Sequence, residues 1–457
     1  MGDPVVIVSN RGPLSYSYDD AGQLVARRGA GGVVSSLAPL VHGTGAHWMA
    51  AAMSDADREA AGQGLIEADD FHVRYLALPP DTYRMAYDVM SNGTLWFLHH
   101  ALFDLSRRPR IDDRWWEAWD AYRAVNHAFA RAVIDEAPDG ATVLVQDYHL
   151  ALVGAWLAQE RPDLRPVHFS HIPFCGTDGI RVLPERVAEE LLVGMASHRS
   201  CGFHARRWAT QFEACCDQVL GWKPSTFVAP LAPDYEEIGE LAKSDDVAAE
   251  LAALEDVVGD RHLILRVDRI ELSKNLLRGF FAFDDMLRAR PEWRGRVVFA
   301  AFVYPSREGL PEYLAYRQEV EALARQVNER WATASWTPVL MDTTDNFPRS
   351  LAALRRYDVL LVNPIRDGLN LVAKEGPLLN QRDGVLVLSR EAGVWEELTP
   401  DVLDVNPFDV SETAEALALS LSMDPQERAA RAERVRAKVL QRSARDWYEA
   451  QLAAARD

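Results

Sequence analysis

Val359-Leu360-Leu361-Val362, then Asn363-Pro364-Ile365, then Arg366-Asp367-Gly368-Leu369-Asn370-Leu371-Val372-Ala373-Lys374-Glu375, is the stretch that decides the fold. Four consecutive aliphatic residues bounded by turn formers read as a strand buried on both faces, the habit of a parallel sheet. The polar turn with Gly368 and the segment after it read as a strand-to-helix junction whose first-turn amides lack side-chain caps. Such a helix start aims backbone N–H groups and the positive end of the helix dipole at one place, which suits a diphosphate. Glu375, one turn in, is placed to accept hydrogen bonds from a ribose diol. The combination suggests a sugar-nucleotide site.

The same strand-then-helix unit recurs along the chain. Strands are expected at Val5–Ser9, Thr142–Gln146 and Val167–Ser170, and a second series at His262–Val267, Arg296–Phe302, Pro338–Met341, Val359–Val362 and Val385–Ser389. Short aliphatic runs alternating with longer amphipathic segments indicate α/β domains with helix-covered parallel sheets. The most proline-rich passage runs from Gly221-Trp222-Lys223-Pro224 to Ala229-Pro230-Leu231-Ala232-Pro233-Asp234. It separates residues 1–233 from 234–457, each half long enough for a doubly wound domain. Two such domains facing across a cleft place their ligands at the carboxyl ends of the strands. The tail from Asp424 reads as helical, with Trp447 and Tyr448 expected to pack back on the N-terminal domain.

A formal net charge of −19 argues against nucleic acid or an anionic membrane surface as partner, so cations for a phosphate ligand must be local. The four cysteines show no metal-ligand spacing and read as reduced thiols. The start, Met-Gly-Asp-Pro-Val-Val-Ile-Val-Ser, lacks a basic region and a long apolar run, which points to a cytoplasmic protein.

Polar residues fall just after the expected strands. Arg269 and Lys274 follow His262–Val267, where two cations can neutralise a diphosphate leaving group. Ser9-Asn10-Arg11-Gly12-Pro13 follows the first strand. Arg28-Gly29-Ala30-Gly31-Gly32-Val33-Val34 supplies a glycine loop with Val34 where a dinucleotide fingerprint needs glycine, so a nicotinamide cofactor is poorly supported. Asp147-Tyr148-His149 and His171-Ile172-Pro173-Phe174 put a carboxylate and an imidazole at neighbouring strand ends. Tyr87 and the segment Ser91-Asn92-Gly93-Thr94-Leu95-Trp96 add aromatic faces suited to sugar rings. Asp55-Ala56-Asp57 has no strand before it and reads as a solvated helix face, and His99-His100 as structural.

Taken in order, these motifs resemble the trehalose-6-phosphate synthase family of retaining glycosyltransferases, and the likeness covers most of the chain. The resemblance implies the GT-B architecture and transfer of glucose from a nucleoside diphosphate to glucose 6-phosphate, without cofactor or metal and without nucleic acid or membrane partners. A homo-oligomer is compatible with it. Carried over by position, Arg269 and Lys274, with the Leu371 and Val372 amides, would hold the donor diphosphate. Glu375 would take the ribose, Asp367 and His171 the donor-sugar hydroxyls, and Gly31, Gly32, Asn363, Gly368 and Asn370 would line the donor. Arg11, Tyr87 and Arg307 would bind the acceptor phosphate, with Asp147, Tyr148, Trp48, Trp96 and His204 around the acceptor sugar. The family's same-face mechanism uses no enzyme nucleophile, so positioning and charge stabilisation carry the chemistry, chiefly through Arg269, Lys274, Asp147, His171 and Asp367.

The sequence departs from the family at Asn363, where many relatives have Thr or Ser, at Cys175-Gly176-Thr177-Asp178, and at Pro230–Asp234. An amide at Asn363 would suit a guanine edge. With the actinobacterial character of Asn380-Gln381-Arg382-Asp383-Gly384, this favours GDP-glucose over UDP-glucose. The competing enzyme is a pseudoglycosyltransferase joining a cyclitol nucleotide to an aminocyclitol phosphate, against which Arg366 is retained. A catalytically silent sugar-phosphate sensor would be expected to lose Arg269, Lys274 or Glu375, and all three are present.

Overall fold

The computed structural model describes residues 4–29, 32–62, 64–68 and 71–456. The chain divides into two compact units, Met1–Pro230 with Ala444–Asp457, and Leu231–Ser443.

In the first unit the strands are β1 (Val5–Val8), β2 (Leu14–Tyr18), β3 (Leu24–Arg28), β4 (His47–Ala51), β5 (Leu65–Ala68), β6 (Phe71–Leu76), β7 (Thr142–Gln146), β8 (Arg165–Ser170), β9 (Ser200–Phe203) and β10 (Thr226–Val228). The main sheet has the order β10-β9-β8-β7-β1-β4-β6-β5, and β2 and β3 form a separate hairpin. Only β5, against β6, pairs antiparallel within that sheet. The long helix Asp113–Glu136 buries Trp115, Ala118, Trp119, Tyr122, Phe129 and Val133, a stripe at helical spacing, and Asp112 caps it by accepting from the Trp115 amide.

The second unit holds β11 (His262–Ile270), β12 (Val297–Pro305), β13 (Val339–Asp342), β14 (Val359–Val362), β15 (Val385–Ser389) and β16 (Leu403–Val405), all parallel, in the order β13-β12-β11-β14-β15-β16. β11 comes first in sequence and has β12 on one side and β14 on the other. The chain therefore reverses its winding between β11 and β14, where α/β sheets open a crevice for ligands.

Most expected strands are present with small changes of boundary. β11 runs on to Ile270, so Arg269 lies on the strand and not in the loop after it. The extension is held by pairing with β12 up to Ile270 opposite Pro305. β9 carries Gly202, and a side chain there would collide with Phe169 and Phe227, so the glycine that hides this strand in the sequence is what lets it pack. β4 directly precedes Asp55-Ala56-Asp57, contrary to the expectation of no strand there.

The helix Ala444–Ala454 closes the first unit. Its Trp447 is 1% exposed, with its ring centroid 5.4 Å from that of Phe169 on β8 and 5.6 Å from that of His171. Trp447→Ala should destabilise this unit by about 3–5 kcal/mol, the usual cost of truncating a buried tryptophan. Thermal or urea unfolding checks this; a loss under about 1 kcal/mol would place Trp447 outside the core.

Candidate active site

In the second unit the side chains after β11 and β14 lock together. Arg266, 0% exposed, donates to Asn363 Oδ1 at 2.5 Å and to the Lys274 carbonyl, and lies 3.2 Å from Asp268 Oδ2. Lys274 sits in a tight turn, Leu272–Lys274, with Nζ 2.7 Å from Asp367 Oδ2 and 3.5 Å from Asp268 Oδ1. Burial pulls the Lys274 ammonium down, but the Asp367 and Asp268 carboxylates outweigh it and hold the group above the ordinary lysine value. Burial also raises the Asp268 carboxyl, against the pull of Lys274 and Arg266. Asn275 adopts φ +62° and donates from Nδ2 to the Asn363 and Pro407 carbonyls, which fixes the turn.

Asp367 is the hub of the second turn. It accepts from Lys274 and, at 3.1 Å, from Asn370 Nδ2, while its backbone bridges Glu391 and Gly393. A side chain on Gly393 would collide with the Gly368 carbonyl, so glycine is required for that close approach. The helix that follows is Val372–Leu379. The expectation of an uncapped start is corrected in one respect: Asn370, at φ +88°, accepts the Ala373 amide at 3.1 Å. Among the described residues no protein acceptor meets the Leu371 and Val372 amides. Glu375 follows on this helix with no hydrogen-bond or ion-pair partner among the described residues. Desolvation by burial pushes its carboxyl up to about 7. Lys374 is structural, with Nζ on Glu397 at 2.9 Å and on the Leu231 carbonyl at 2.8 Å.

Asn363 is corrected. It is 0% exposed, its Oδ1 faces Arg266, and its carbonyl accepts from Asn275. Asn380, in the stretch taken as an actinobacterial sign, is likewise structural, with its side chain on the Tyr357 carbonyl and the Arg382 and Gly384 amides.

Arg307, expected among the acceptor ligands, follows β12 in this unit at φ +48°. Its Nη1 donates to Glu271 Oε1 at 2.7 Å. Arg269 Nη2 is 3.1 Å from Glu271 Oε2, and Tyr313 Oη donates to Glu271 Oε1 at 2.7 Å. Glu271 was quoted in the sequence but given no role; a carboxylate two residues beyond a functional arginine on a strand was the signal available.

In the first unit the turn after β1 is held from three sides. Ser9 Oγ donates to the Arg11 carbonyl at 2.6 Å, Trp48 Nε1 donates to Ser9 Oγ at 2.8 Å, and Tyr83 Oη donates to Asn10 Oδ1 at 3.0 Å. The Arg11 side chain is exposed. Tyr87 lies in a π-helix, Met85–Leu95, a wide coil often found at functional sites. Its ring stacks on Tyr83 and on His149, each at 5.6 Å, so the Arg11 turn is linked to the turn after β7. There Asp147 sits at φ +72° and its Oδ1 accepts the His171 amide at 3.2 Å.

His171 completes a buried chain. Gln451 Oε1 accepts from Gln146 Nε2 at 2.9 Å, Gln146 Oε1 lies 3.0 Å from His171 Nε2, and His171 Nδ1 lies 3.2 Å from His204 Nε2. With the carboxamide assigned this way, Gln146 Oε1 only accepts, so His171 carries its proton on Nε2. Burial, and then the neighbouring His204, holds His171 well below its ordinary pKa, so it is a neutral imidazole.

Several expected acceptor residues stand behind this surface. Trp48 is 1% exposed. Trp96 is 7% exposed and stacks on His100 at 3.9 Å. Tyr148 and His204 are buried, with Tyr148 Oη on Asn92 Oδ1. All four are packed against the turns of this unit. Asp57, expected on a solvated face, is 5% exposed because it closes a capping box with Ser54 and accepts the Tyr16 amide. Gly31 lies outside the described residues, and Gly32 opens the helix Gly32–Val41. All four cysteines are buried and unbridged. No described helix is long and apolar enough to cross a membrane.

The model of glycosyltransferase family 20 matches residues 3–457. The chain belongs to that family. A bifunctional trehalose-6-phosphate synthase/phosphatase of Thermoproteus tenax is 32% identical over 79% of the family 20 chain, which spans about half (50%) of that relative's length. An Escherichia coli structure solved with UDP-2-fluoro glucose bound is 26% identical, with TM-score 0.87 and 99% of both chains covered. A UDP-forming alpha,alpha-trehalose-phosphate synthase from Burkholderia xenovorans, in complex with glucose-6-phosphate, is 26% identical, with TM-score 0.84, covering 99% of this chain and 100% of its own. With the two Rossmann-like units described above, these neighbours give the family 20 chain the GT-B fold.

The raised Glu375 carboxyl has a measurable consequence. The folded state holds that proton more tightly than the unfolded chain does, whose carboxyl has the ordinary value of 4.5. The associated stability is complete below about 4.5 and is lost as the pH rises through about 7. Glu375→Gln should therefore flatten the pH dependence of stability across that window, with a gain at pH 8 of about 3 kcal/mol at most. Urea titrations at several pH values check this; an unchanged slope would remove the shift from Glu375.

Proposed function

We propose that this chain synthesises α,α-trehalose 6-phosphate, with retention, from a nucleoside-diphosphate glucose and glucose 6-phosphate. The observation that carries this reading is the cluster at the carboxyl ends of β11 and β14. Arg269, Lys274 and the Leu371 and Val372 amides converge there with Glu375, a carboxylate that has no protein partner among the described residues. The cations and amides match the charge of a diphosphate, and Glu375 is available to a ribose diol. Gly368 and Gly393 bring two backbone turns into contact beside this cluster, and Gly31 and Gly32 are assigned to the donor with them.

The chemistry follows from charge. As the glycosidic bond to the diphosphate breaks, negative charge grows on the leaving oxygens, and Arg269 and Lys274 stabilise it. Asp367 holds Lys274 in place and, with neutral His171, orients donor hydroxyls. On the first unit Arg11 and Tyr87 take the acceptor phosphate, with Asp147 on the acceptor sugar and Trp48, Trp96, Tyr148 and His204 supporting them. Arg307 is likewise assigned to an acceptor-phosphate role. The structures similar to this chain were solved with a UDP-glucose analogue and with glucose 6-phosphate, which supports both substrate classes.

For the base we propose uracil, so the donor is UDP-glucose. The argument for GDP-glucose rested on Asn363 and on the Asn380 stretch; Asn363 Oδ1 is held by Arg266 and the Asn380 side chain by its own turn. The Burkholderia relative is named as UDP-forming.

Mixing the protein with glucose 6-phosphate and UDP-, GDP- or ADP-glucose should give trehalose 6-phosphate by mass spectrometry, with the highest kcat/KM for UDP-glucose. A GDP preference overturns the base assignment alone, and no disaccharide phosphate with any donor overturns the reaction. Arg269→Ala or Lys274→Ala should lower kcat by about a hundredfold or more. Near-normal turnover in both would remove the diphosphate assignment.

A further inference from the structure

Glu271 is 0% exposed and follows Ile270, the last residue of β11. A carboxylate sealed from water is costly unless cations and donors surround it. Here Arg307 Nη1 and Tyr313 Oη both donate to Oε1 at 2.7 Å, and Arg269 Nη2 lies 3.1 Å from Oε2. One buried carboxylate thus holds two guanidiniums that reach it from different strands, Arg269 from β11 and Arg307 from just after β12. Arg307 does so at φ +48°, a strained backbone for a non-glycine residue, so the surrounding structure is built to put its side chain there. The Arg307 guanidinium also lies 5.6 Å from the Tyr313 ring centroid, and Arg269 Nη1 donates to Ser306 Oγ at 3.3 Å. Both arginines therefore have second anchors that depend on the same small region.

We propose that Glu271 is a positioning residue that yokes Arg269 to Arg307, so that the group binding the donor diphosphate and the group binding the acceptor phosphate are set in place together. The inference rests on the reading of those two arginines given above. Without the carboxylate, two like charges would repel and splay. With it, both guanidiniums are drawn to one fixed anchor. Anything that shifts Glu271 moves both cations at once.

Electrostatics and positioning predict opposite results, which makes the test decisive. Glu271→Gln removes a negative charge beside two anion sites. Pure electrostatics would tighten anion binding and lower both KM values. Loss of positioning raises them. We expect KM for the nucleotide sugar and KM for glucose 6-phosphate each to rise about tenfold or more in Glu271→Gln, the scale of one charge-assisted hydrogen bond. Glu271→Asp, which keeps the charge on a shorter arm, should recover part of both. Tyr313→Phe removes the third contact to the carboxylate, and with it the 3.3 Å bond from Arg307 Nη1 to Tyr313 Oη, and should raise both KM values by a smaller factor.

The readouts separate the failures. If wild-type protein turns over no donor with glucose 6-phosphate, the functional reading itself fails. If wild-type protein is active and Glu271→Gln leaves both KM values unchanged or lowers them, the yoke fails while the reading stands. A change in only one KM also overturns the yoke, because it shows the two arginines to be set independently. If Glu271→Gln does not fold, the Tyr313→Phe and Glu271→Asp values decide the matter alone, and wild-type KM values in both would overturn the proposal.

Discussion

An ammonium inside a protein is tolerated only where carboxylates outweigh its lost hydration, and Lys274 meets two. Its bond to Asp367 ties the turn after β11 to the turn after β14, the point where the second sheet reverses its winding. Arg266 lies beneath and clamps both turns by their backbone and amide groups, and Asn275 ties them again through the Asn363 carbonyl. A diphosphate bound as proposed would meet cations that are already oriented. Little reorganisation is left to the moment of reaction, which is the condition for electrostatic stabilisation to lower a barrier.

The first unit solves a different problem. The orientation of its polar residues comes largely from aromatic packing and hydrogen bonds between neutral groups. Trp48 and Tyr83 fix the Arg11 turn, Tyr87 bridges from that turn to His149, and Gln146 with Gln451 sets the proton on His171. Burial keeps both His171 and His168 neutral, so these two imidazoles offer hydrogen bonds of defined direction.

Much of this was legible in the sequence because the strands of parallel sheets are continuous aliphatic runs. Thr142–Gln146, Val359–Val362 and Val385–Ser389 were read with their observed ends. Polar residues just after such runs are where ligands are expected, and Arg269, Lys274, Asp367 and Glu375 were singled out that way. What stayed hidden depends on partners remote in sequence. β9 was missed because Gly202 looks like a breaker until Phe169 and Phe227 are seen to need its space. The deep burial of Trp48 and Trp96 was not legible, because a sequence does not show which aromatic rings are covered. Asn363 looked like a base reader because Arg266, 97 positions away, is invisible as its partner. Glu271 has no spacing to distinguish it from a surface glutamate; only the convergence of Arg269, Arg307 and Tyr313 does that.

The last helix has a bearing on how the protein is made. Trp447 and Gln451 belong to the core of the unit that contains residue 5, although more than 200 residues of the other unit, Leu231–Ser443, are synthesised in between. The second unit is continuous in sequence and can complete its core as it leaves the ribosome. The first unit must wait, with the seat for Trp447 unfilled and Gln146 short of a partner, until the end of the helix has emerged. In this chain the unit begun first is finished last, so its unfilled core is the surface that chaperones have most time to meet.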